Sequence, residues 1–366
     1  MSDRIQPNPT PAYDAAQGGT GFQPVAPGGL HKRRVRYAGK NPRRFEEKYK
    51  EHQPGQFADT VAKVLAAGKT PAGTHRPIMV AEILTVLAPR PGEVAVDCTL
   101  GYGGHAEKLL PLIQPGGRLL GVDADPLELP KTEARLRALG FGPETFTAHR
   151  TNFAGLAQVL AGVGLAGADL ILADLGVSSM QIDNPARGFS VKDTGPLDMR
   201  MNPQRGQSAG DLLAKIPPAA LSRLLVENAD EPHADTLGAA LAGREFATTT
   251  ALAEAIRRAL PRVSRDETGL TVRRVFQALR IAVNDEFSAL TTLLRQLPQL
   301  LRPGGRVAVL TFHSGEDRRV KQAFEAGWHA GDYSAIATEV LRAGPEERRE
   351  NPRSTSAKLR WARRGD

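Results

Sequence analysis

The sequence has a single cysteine, few aromatic residues and no long apolar run. Cys98 stands alone among 366 residues, which excludes an internal disulfide framework and any multi-cysteine zinc site. No stretch of about 18 apolar residues is present, so no segment is expected to span a membrane. The first residues carry Asp, Gln, Asn and Pro without an apolar core, so they are not expected to act as a secretory signal. A cytoplasmic protein is therefore the expectation.

Basic residues outnumber acidic ones, 48 to 40, and the net charge of +8 favours a polyanionic partner such as nucleic acid. Residues 1–30 are rich in Pro and Gly, which predicts disorder. Residues 31–50 carry nine Lys or Arg, with Tyr37, Phe45 and Tyr49 between them. Because basic side chains reach phosphates and rings stack on bases, this segment is predicted to be an RNA-contacting arm. A solubilising tail is the alternative.

From residue 75 onward, short apolar runs alternate with helical patterns, which predicts an α/β domain with a parallel, doubly wound sheet. Residues 201–297 then read as successive helices, the last a long one over 271–297, with no convincing strand. The α/β pattern resumes after residue 297. We therefore predict three parts, which are an N-terminal extension at 1–74, an α/β domain at 75–200 and 298–366, and a helical insertion at 201–297.

A glycine-rich loop, Gly101-Tyr102-Gly103-Gly104-His105, lies between the first predicted strand and its helix. Glycines let the backbone approach a ligand, and a helix start favours a negatively charged group. Asp123 ends the second strand, 20 residues beyond Gly103, where a carboxylate can accept hydrogen bonds from ribose hydroxyls. These residues indicate an adenosine cofactor, but they leave NAD and S-adenosylmethionine equally open.

The 28 residues from Asp174 to Met201 follow the fourth strand and show neither a helical nor a strand period. They contain too many large apolar side chains for a disordered segment. Long ordered loops in compact domains are usually functional, so we interpret this stretch as an active-site loop. Asp174 stands at the carboxyl end of its strand, which is where open α/β sheets carry their chemistry.

Four motifs in this loop closely resemble the signature of the RsmH (MraW) family. They are DLGVSS at 174–179, QID at 181–183, RGFS at 187–190 and PLDMRM at 196–201. Further matches follow in the family's order, and the resemblance covers roughly residues 75–362. These matches include His75-Arg76-Pro77, the glycine loop, Asp123, Asn152-Phe153, FQALRIAVNDE at 276–286, Phe312-His313-Ser314 and Asn351-Pro352-Arg353.

The resemblance implies a Rossmann-like methyltransferase domain with a helical insertion domain. It implies S-adenosylmethionine as the cofactor and N4 of a cytosine in the decoding centre of 16S ribosomal RNA as the target. The partner is then the small ribosomal subunit, and neither a metal nor an obligate protein partner is expected. The implied catalytic residue is Asp174, which would orient the cofactor and the amine. The implied cofactor contacts are Gly103, Gly104, His105, Asp123, Phe153, Asp174 and Gln181.

Several features depart from the pattern of amino-directed methyltransferases or from the family itself. No aromatic residue directly follows Asp174, so Phe189 is our candidate for stacking on the base. The insertion lacks some family motifs, and the first 74 residues have no counterpart in the usual enzyme. We expect Ser314 and Asp317 to cap a helix. The alternative functions are an amino-methyltransferase for another nucleic acid such as DNA, a ribosome-associated binding protein without catalysis, and an NAD-dependent dehydrogenase, for which the motifs show no clear proton-transfer residue.

Overall fold

The computed structural model describes residues 77–366, which belong to one compact unit. The predicted N-terminal extension at 1–74, with its basic arm, lies outside the described residues, as do His75 and Arg76. Within 77–366, no helix is both long and apolar enough to cross a membrane.

A seven-stranded sheet organises the chain in the order β3-β2-β1-β4-β5-β7-β6. The first five strands pair in parallel, while β7 runs antiparallel to both β5 and β6. The α/β fold predicted from the alternating pattern is therefore confirmed. The strands are β1 (Val94–Asp97), β2 (Arg118–Asp123), β3 (Phe146–Arg150), β4 (Ala168–Asp174), β5 (Leu301–Thr311), β6 (Tyr333–Ile336) and β7 (Lys358–Arg364).

Thirteen α-helices are present in residues 77–366. Those beside the first four strands are α1 (Val80–Leu87), α2 (Gly104–Leu109), α3 (Leu129–Ala138), α4 (Leu156–Gly162) and α5 (Ser179–Asp183). Those of the helical region are α6 (Ala209–Lys215), α7 (Pro218–Ala229), α8 (Ala234–Leu241), α9 (Thr249–Ala259), α10 (Arg265–Asn284) and α11 (Glu286–Leu300). The last two are α12 (Ser314–His329) and α13 (Pro345–Glu350).

The sheet is buried on both faces because successive strand residues point to opposite sides. Val94 and Val96 join a cluster with residues of α4, α11 and α12. Ala95, between them, joins a second cluster with residues of α1, α2 and α3. The sequence order of the strands reverses between β1 and β4, and open α/β sheets bind ligands outside the strand ends at such a point. The glycine loop and Asp174 meet there.

The long helix predicted over 271–297 is wrong, because the chain breaks at Asp285. This residue has a φ of 50° and ends α10 immediately before α11 begins. Aspartate is one of the few residues that adopt this left-handed conformation readily. The spacing of apolar residues does not reveal this break, because a helical spacing continues on both sides of Asp285.

The helical region has a hydrophobic cluster of its own, built from α6 to α10 together with Leu197 and Met199. Helix α11 does not belong to this cluster, since Leu290, Leu293 and Leu297 pack in the cluster of the sheet. We infer that the insertion ends near Asp285 rather than at residue 297. Its start near residue 200 remains a prediction.

Candidate active site

The ends of β1, β2, β4 and β5 open into a cavity of about 350 Å³. The cavity also receives residues from α10 and α11, so the sheet and the helical region share it. Of the predicted site residues, it brings together Gly104, His105, Asp123, Phe153, Asp174 and Gln181.

Gly103 is the one predicted contact that does not line the cavity. Its φ of 75° makes the turn that starts α2, and its N–H donates to the carbonyl of Leu100 over 2.6 Å. A Cβ on Gly103 would lie 2.9 Å from Cγ2 of Thr132. Gly103 therefore shapes the loop, while Gly104 lines the cavity.

Gly103→Ala is expected to lower the free energy of unfolding by about 1–3 kcal/mol, because a left-handed residue and a close Cβ contact both add strain. Binding of the cofactor should weaken with it. Gly269→Ala is the control, since this glycine lies inside α10 with nothing within 4 Å of its added Cβ. That change should stabilise the protein by about 0.5–1 kcal/mol. Urea denaturation measures both, and equal stability of the two variants would contradict this role of Gly103.

Within residues 77–366, each carboxylate oxygen of Asp123 accepts one hydrogen bond. Oδ2 accepts the N–H of Gly101 over 2.7 Å, and Oδ1 accepts the N–H of Asp125 over 2.8 Å. Burial raises the pKa of Asp123 to about 6. Each oxygen keeps a lone pair free, which suits a diol such as ribose.

Asp174 ends β4 and lines the cavity, and burial raises its pKa to about 7, with Glu316 nearby adding to the effect. His105 faces it, with Nδ1 3.6 Å from Asp174 Oδ2. Nε2 of His105 lies 2.9 Å from the carbonyl oxygen of Ile78, so Nε2 carries the proton and Nδ1 has a lone pair when the ring is neutral. Burial also lowers the pKa of His105. The pair therefore places a neutral ring beside an acid that titrates near neutrality.

Gln181 lies at the cavity wall with both ends of its amide used. Nε2 donates to Asp125 Oδ2 over 2.8 Å, and Oε1 accepts the N–H of Ser178 over 2.9 Å in a capping box that starts α5. This pattern makes Gln181 a support for the loop, in addition to a cavity residue.

A buried ion pair holds the loop against the second strand, and sequence reasoning missed it. Arg187 Nη1 donates to Asp125 Oδ2 over 2.8 Å, and Nη2 donates to the carbonyls of Arg200 and Met201. At the far end, Asn284 donates to Met199 O over 2.8 Å and accepts the N–H of Met201 over 2.7 Å. The irregular stretch is therefore fastened in its middle, at Arg187, and at its far end.

The part of the cavity wall formed by α10, α11 and α12 carries charges that the sequence did not assign to the site. Arg280 forms two bonds of 2.8 Å to the carboxylate of Glu286. Glu316 lies 3.1 Å from His313 and accepts the N–H of Phe312 over 2.8 Å. Burial acts to raise the pKa of Glu316, but His313 and Arg280 lower it overall. This wall therefore presents an anion at Glu316 next to a paired guanidinium.

Two predictions about individual side chains are wrong. Phe189 does not line the cavity but packs against the cluster of the helical region. Ser314 and Asp317 do not form a capping box, since Ser314 donates to Asp230 and Asp317 accepts from Lys358 and Arg360. Ser314 and Asp317 each bond to residues of other elements, and the spacing of residues in the sequence cannot reveal such contacts.

Comparisons with known proteins agree with these features. The MraW methylase family model matches residues 72–365. "Ribosomal RNA small subunit methyltransferase H 1" of Lachnoclostridium phytofermentans is 48% identical over 342 residues, covering 91% of this chain and 93% of that protein. "Ribosomal RNA small subunit methyltransferase H 2" of Alkaliphilus metalliredigens is 49% identical over 339 residues, covering 90% and 97%. "Ribosomal RNA small subunit methyltransferase H" of Anaeromyxobacter sp. (strain K) is 42% identical over 305 residues, covering 78% and 96%.

The expectation that residues 1–74 have no counterpart is wrong for two of these relatives. Residues 75–366 make up about four fifths of the chain, so a match over 90% or 91% must reach into the extension. The family match spans nearly all the described residues, including the glycine loop, Asp123 and Asp174. The chain therefore belongs to the MraW methylase family, and it is a methyltransferase that uses S-adenosylmethionine.

Proposed function

We propose that this enzyme methylates N4 of a cytosine in the decoding centre of 16S ribosomal RNA, with the small ribosomal subunit as its partner. The observation that carries the proposal is the carboxyl group of Asp174, which ends β4 in the same cavity as Asp123 and the glycine loop. The printed names of the relatives, small-subunit ribosomal RNA methyltransferases at 48% and 49% identity, support an RNA substrate.

The residues present fit the cofactor. Asp123 and Asp174 both have raised pKa values, so a cationic ligand would relieve the cost of burying their charges. Asp123 would hold the ribose, Phe153 would pack on the adenine, and Gly104 leaves room for close approach. When bound, the cofactor supplies an electrophilic methyl group on a sulfonium sulfur.

Asp174 would act on the amine of the base. This amine is a poor nucleophile because its lone pair is delocalised into the ring, and an acceptor for one N–H favours the geometry needed for attack. Transfer of the methyl group from sulfur to this nitrogen would leave the methylated amine with one proton to lose. A carboxylate whose pKa is about 7 can accept that proton and release it near neutral pH. His105, neutral and with the Nδ1 lone pair towards Asp174, would accept a hydrogen bond from this carboxyl group once the group carries the proton.

The experiment is to incubate the protein with S-adenosylmethionine labelled on the methyl group. Assembled small subunits, naked 16S ribosomal RNA and DNA are offered in separate reactions. Label in small-subunit RNA is the expected result. Label in DNA alone would overturn the substrate, and no label in any reaction would favour a binding protein without catalysis.

Binding of S-adenosylmethionine near pH 7 is expected to release protons. A sulfonium charge beside Asp174 favours the carboxylate, so the pKa of this group falls from about 7 and its proton leaves. S-adenosylhomocysteine, which has a neutral sulfur, should release fewer protons and serves as the control. Calorimetric titration in buffers of different ionisation enthalpy counts them. Equal proton counts for the two ligands would contradict this placement of the charge.

A further inference from the structure

Phe287, the second residue of α11, lines the active-site cavity, and no role has yet been given to it. Two other phenylalanines that line the cavity also pack in a hydrophobic cluster of the sheet. Phe153 packs in the cluster of α4, α11 and α12, and Phe312 packs in the cluster of α1, α2 and α3. Phe287 belongs to none of the three hydrophobic clusters. Its ring is half-buried at the wall of the cavity, so packing in the core does not account for it.

Two residues of helix α12 pack against the Phe287 ring. The guanidinium carbon of Arg319 lies 3.5 Å from the centroid of the Phe287 ring, and Nη1 of Arg319 donates to the carbonyl of Gly315 over 3.0 Å. A Cβ on Gly315 would lie 2.7 Å from Cζ of Phe287, so glycine is needed for this approach. Arg319 also lines a second cavity that Phe287 does not line. The ring is therefore fixed on the side of α12.

Arg280 lines the same cavity as Phe287 and has N–H groups that are not used by Glu286. Nε and Nη2 are used by Glu286, whereas Nη1 makes no hydrogen bond to any residue of 77–366. Asp174, Arg280 and Glu316 all line this cavity, so the acceptor and the donor face one space.

We propose that Phe287 and Arg280 form the slot that holds and reads the target cytosine, with the base stacked on Phe287 and its N3 and O2 facing Arg280. The N4 amine then points to Asp174. A uracil in this slot would place a carbonyl oxygen against Asp174 and an N–H against Arg280, so the two charges select cytosine. The inference rests on the proposed function, because it assigns the base that is methylated there.

The test compares Phe287→Leu, which removes the ring at similar volume, with Phe287→Tyr, which keeps it. Loss of stacking is expected to lower kcat/KM for small subunits by about 5- to 150-fold in Phe287→Leu. Phe287→Tyr should stay within about threefold of the wild type on the same reasoning. The dissociation constant of S-adenosylmethionine, measured by calorimetry, should be unchanged in both. Phe141→Leu is the matched control, because this ring is also half-buried but does not line the cavity, and it should leave kcat/KM unchanged.

Gly315→Ala provides a second approach, because its methyl group pushes on the ring without entering the cavity. Gly315→Ala should lower kcat/KM for small subunits while the affinity for S-adenosylmethionine is kept. This variant tests the role of the ring if Phe287→Leu does not fold. Arg280→Lys keeps the charge opposite Glu286 but loses the fork, and it should lower kcat/KM by about tenfold.

Unchanged kcat/KM in Phe287→Leu and Gly315→Ala would overturn the slot, as would equal losses in Phe287→Leu and Phe287→Tyr. In those cases the wild type still methylates the small subunit, so the proposed function stands. A wild-type protein that transfers no methyl group to the small subunit would overturn both.

Discussion

Asp174→Asn is expected to lower kcat for methyl transfer by about 10²- to 10⁴-fold, the range for loss of a group that accepts a proton. The asparagine side chain has the same shape and can still accept a hydrogen bond, but it cannot take the proton from the methylated amine. The dissociation constant of S-adenosylmethionine should change much less than kcat. Asp193→Asn is the control, because Asp193 lies in the same loop and is exposed. It should behave as the wild type.

The pH profile adds a second readout for Asp174. The carboxylate is the active form, and its pKa is about 7 in the protein without cofactor. Because kcat/KM for S-adenosylmethionine reports that cofactor-free form, it should rise from pH 5.5 and level off above pH 8. The rising limb should be absent from the residual activity of Asp174→Asn. A variant with full activity, or an unchanged limb in the variant, would remove Asp174 from the chemistry.

The ionisation of Asp174 should also make the stability of the protein depend on pH. Activity is expected to rise with pH, whereas this contribution to stability falls. The folded pKa of about 7 is above the usual value for an aspartate, so the stability that Asp174 contributes is present at low pH and is lost as pH rises through about 7. Asp174→Asn removes this charge. Its melting temperature should therefore exceed that of the wild type most clearly at pH 8, and the gap should shrink towards pH 4.

Arg187→Met is expected to lower the free energy of unfolding by about 3–5 kcal/mol, since it leaves the Asp125 carboxylate buried without its cation. Asp125 is only 1% exposed, and the guanidinium of Arg187 also fastens the carbonyls of Arg200 and Met201. The loop that begins at Asp174 should loosen, so kcat/KM should fall as well.

Arg200→Met is the matched control for this ion pair. Arg200 pairs with Asp198 at 2.8 Å, but both side chains are more than a fifth exposed, so the loss should be about 0–1 kcal/mol. Urea denaturation compares the two variants. If Arg187→Met is no less stable than Arg200→Met, the buried pair does not hold the loop.

The α/β domain could be predicted because its information is local. Apolar runs such as Val94–Asp97 and Ala168–Asp174 stand out between loops and helices, and parallel strands end at one edge of the sheet. That reasoning placed Asp123 and Asp174 on a common cavity, as found. The strand Tyr333–Ile336 was missed, since it lies at the edge of the sheet, where only Tyr333 is fully buried and no continuous apolar run is needed.

The part of the cavity wall formed by α10 and α11 could not be predicted from the local sequence pattern. Arg280 and Phe287 lie more than 100 residues from Asp174 in the sequence, and their approach depends on the left-handed turn at Asp285 and on how α11 packs on the sheet. The pair Arg187–Asp125 is likewise a contact between distant segments. Phe189 was chosen for stacking because it is close to Asp174 in sequence, whereas Phe287, the ring that we propose for stacking, comes from α11.

Identification of the methylated nucleoside tests the central claim most directly. Small subunits that lack the modification are incubated with S-adenosylmethionine and either the wild type or Asp174→Asn, and the RNA is digested to nucleosides for mass spectrometry. The prediction is that N4-methylcytidine appears with the wild type and is strongly reduced with the variant. A methyl group on another atom, such as C5 of cytosine, or the same yield from both proteins, would contradict the assignment of Asp174 and of the reaction.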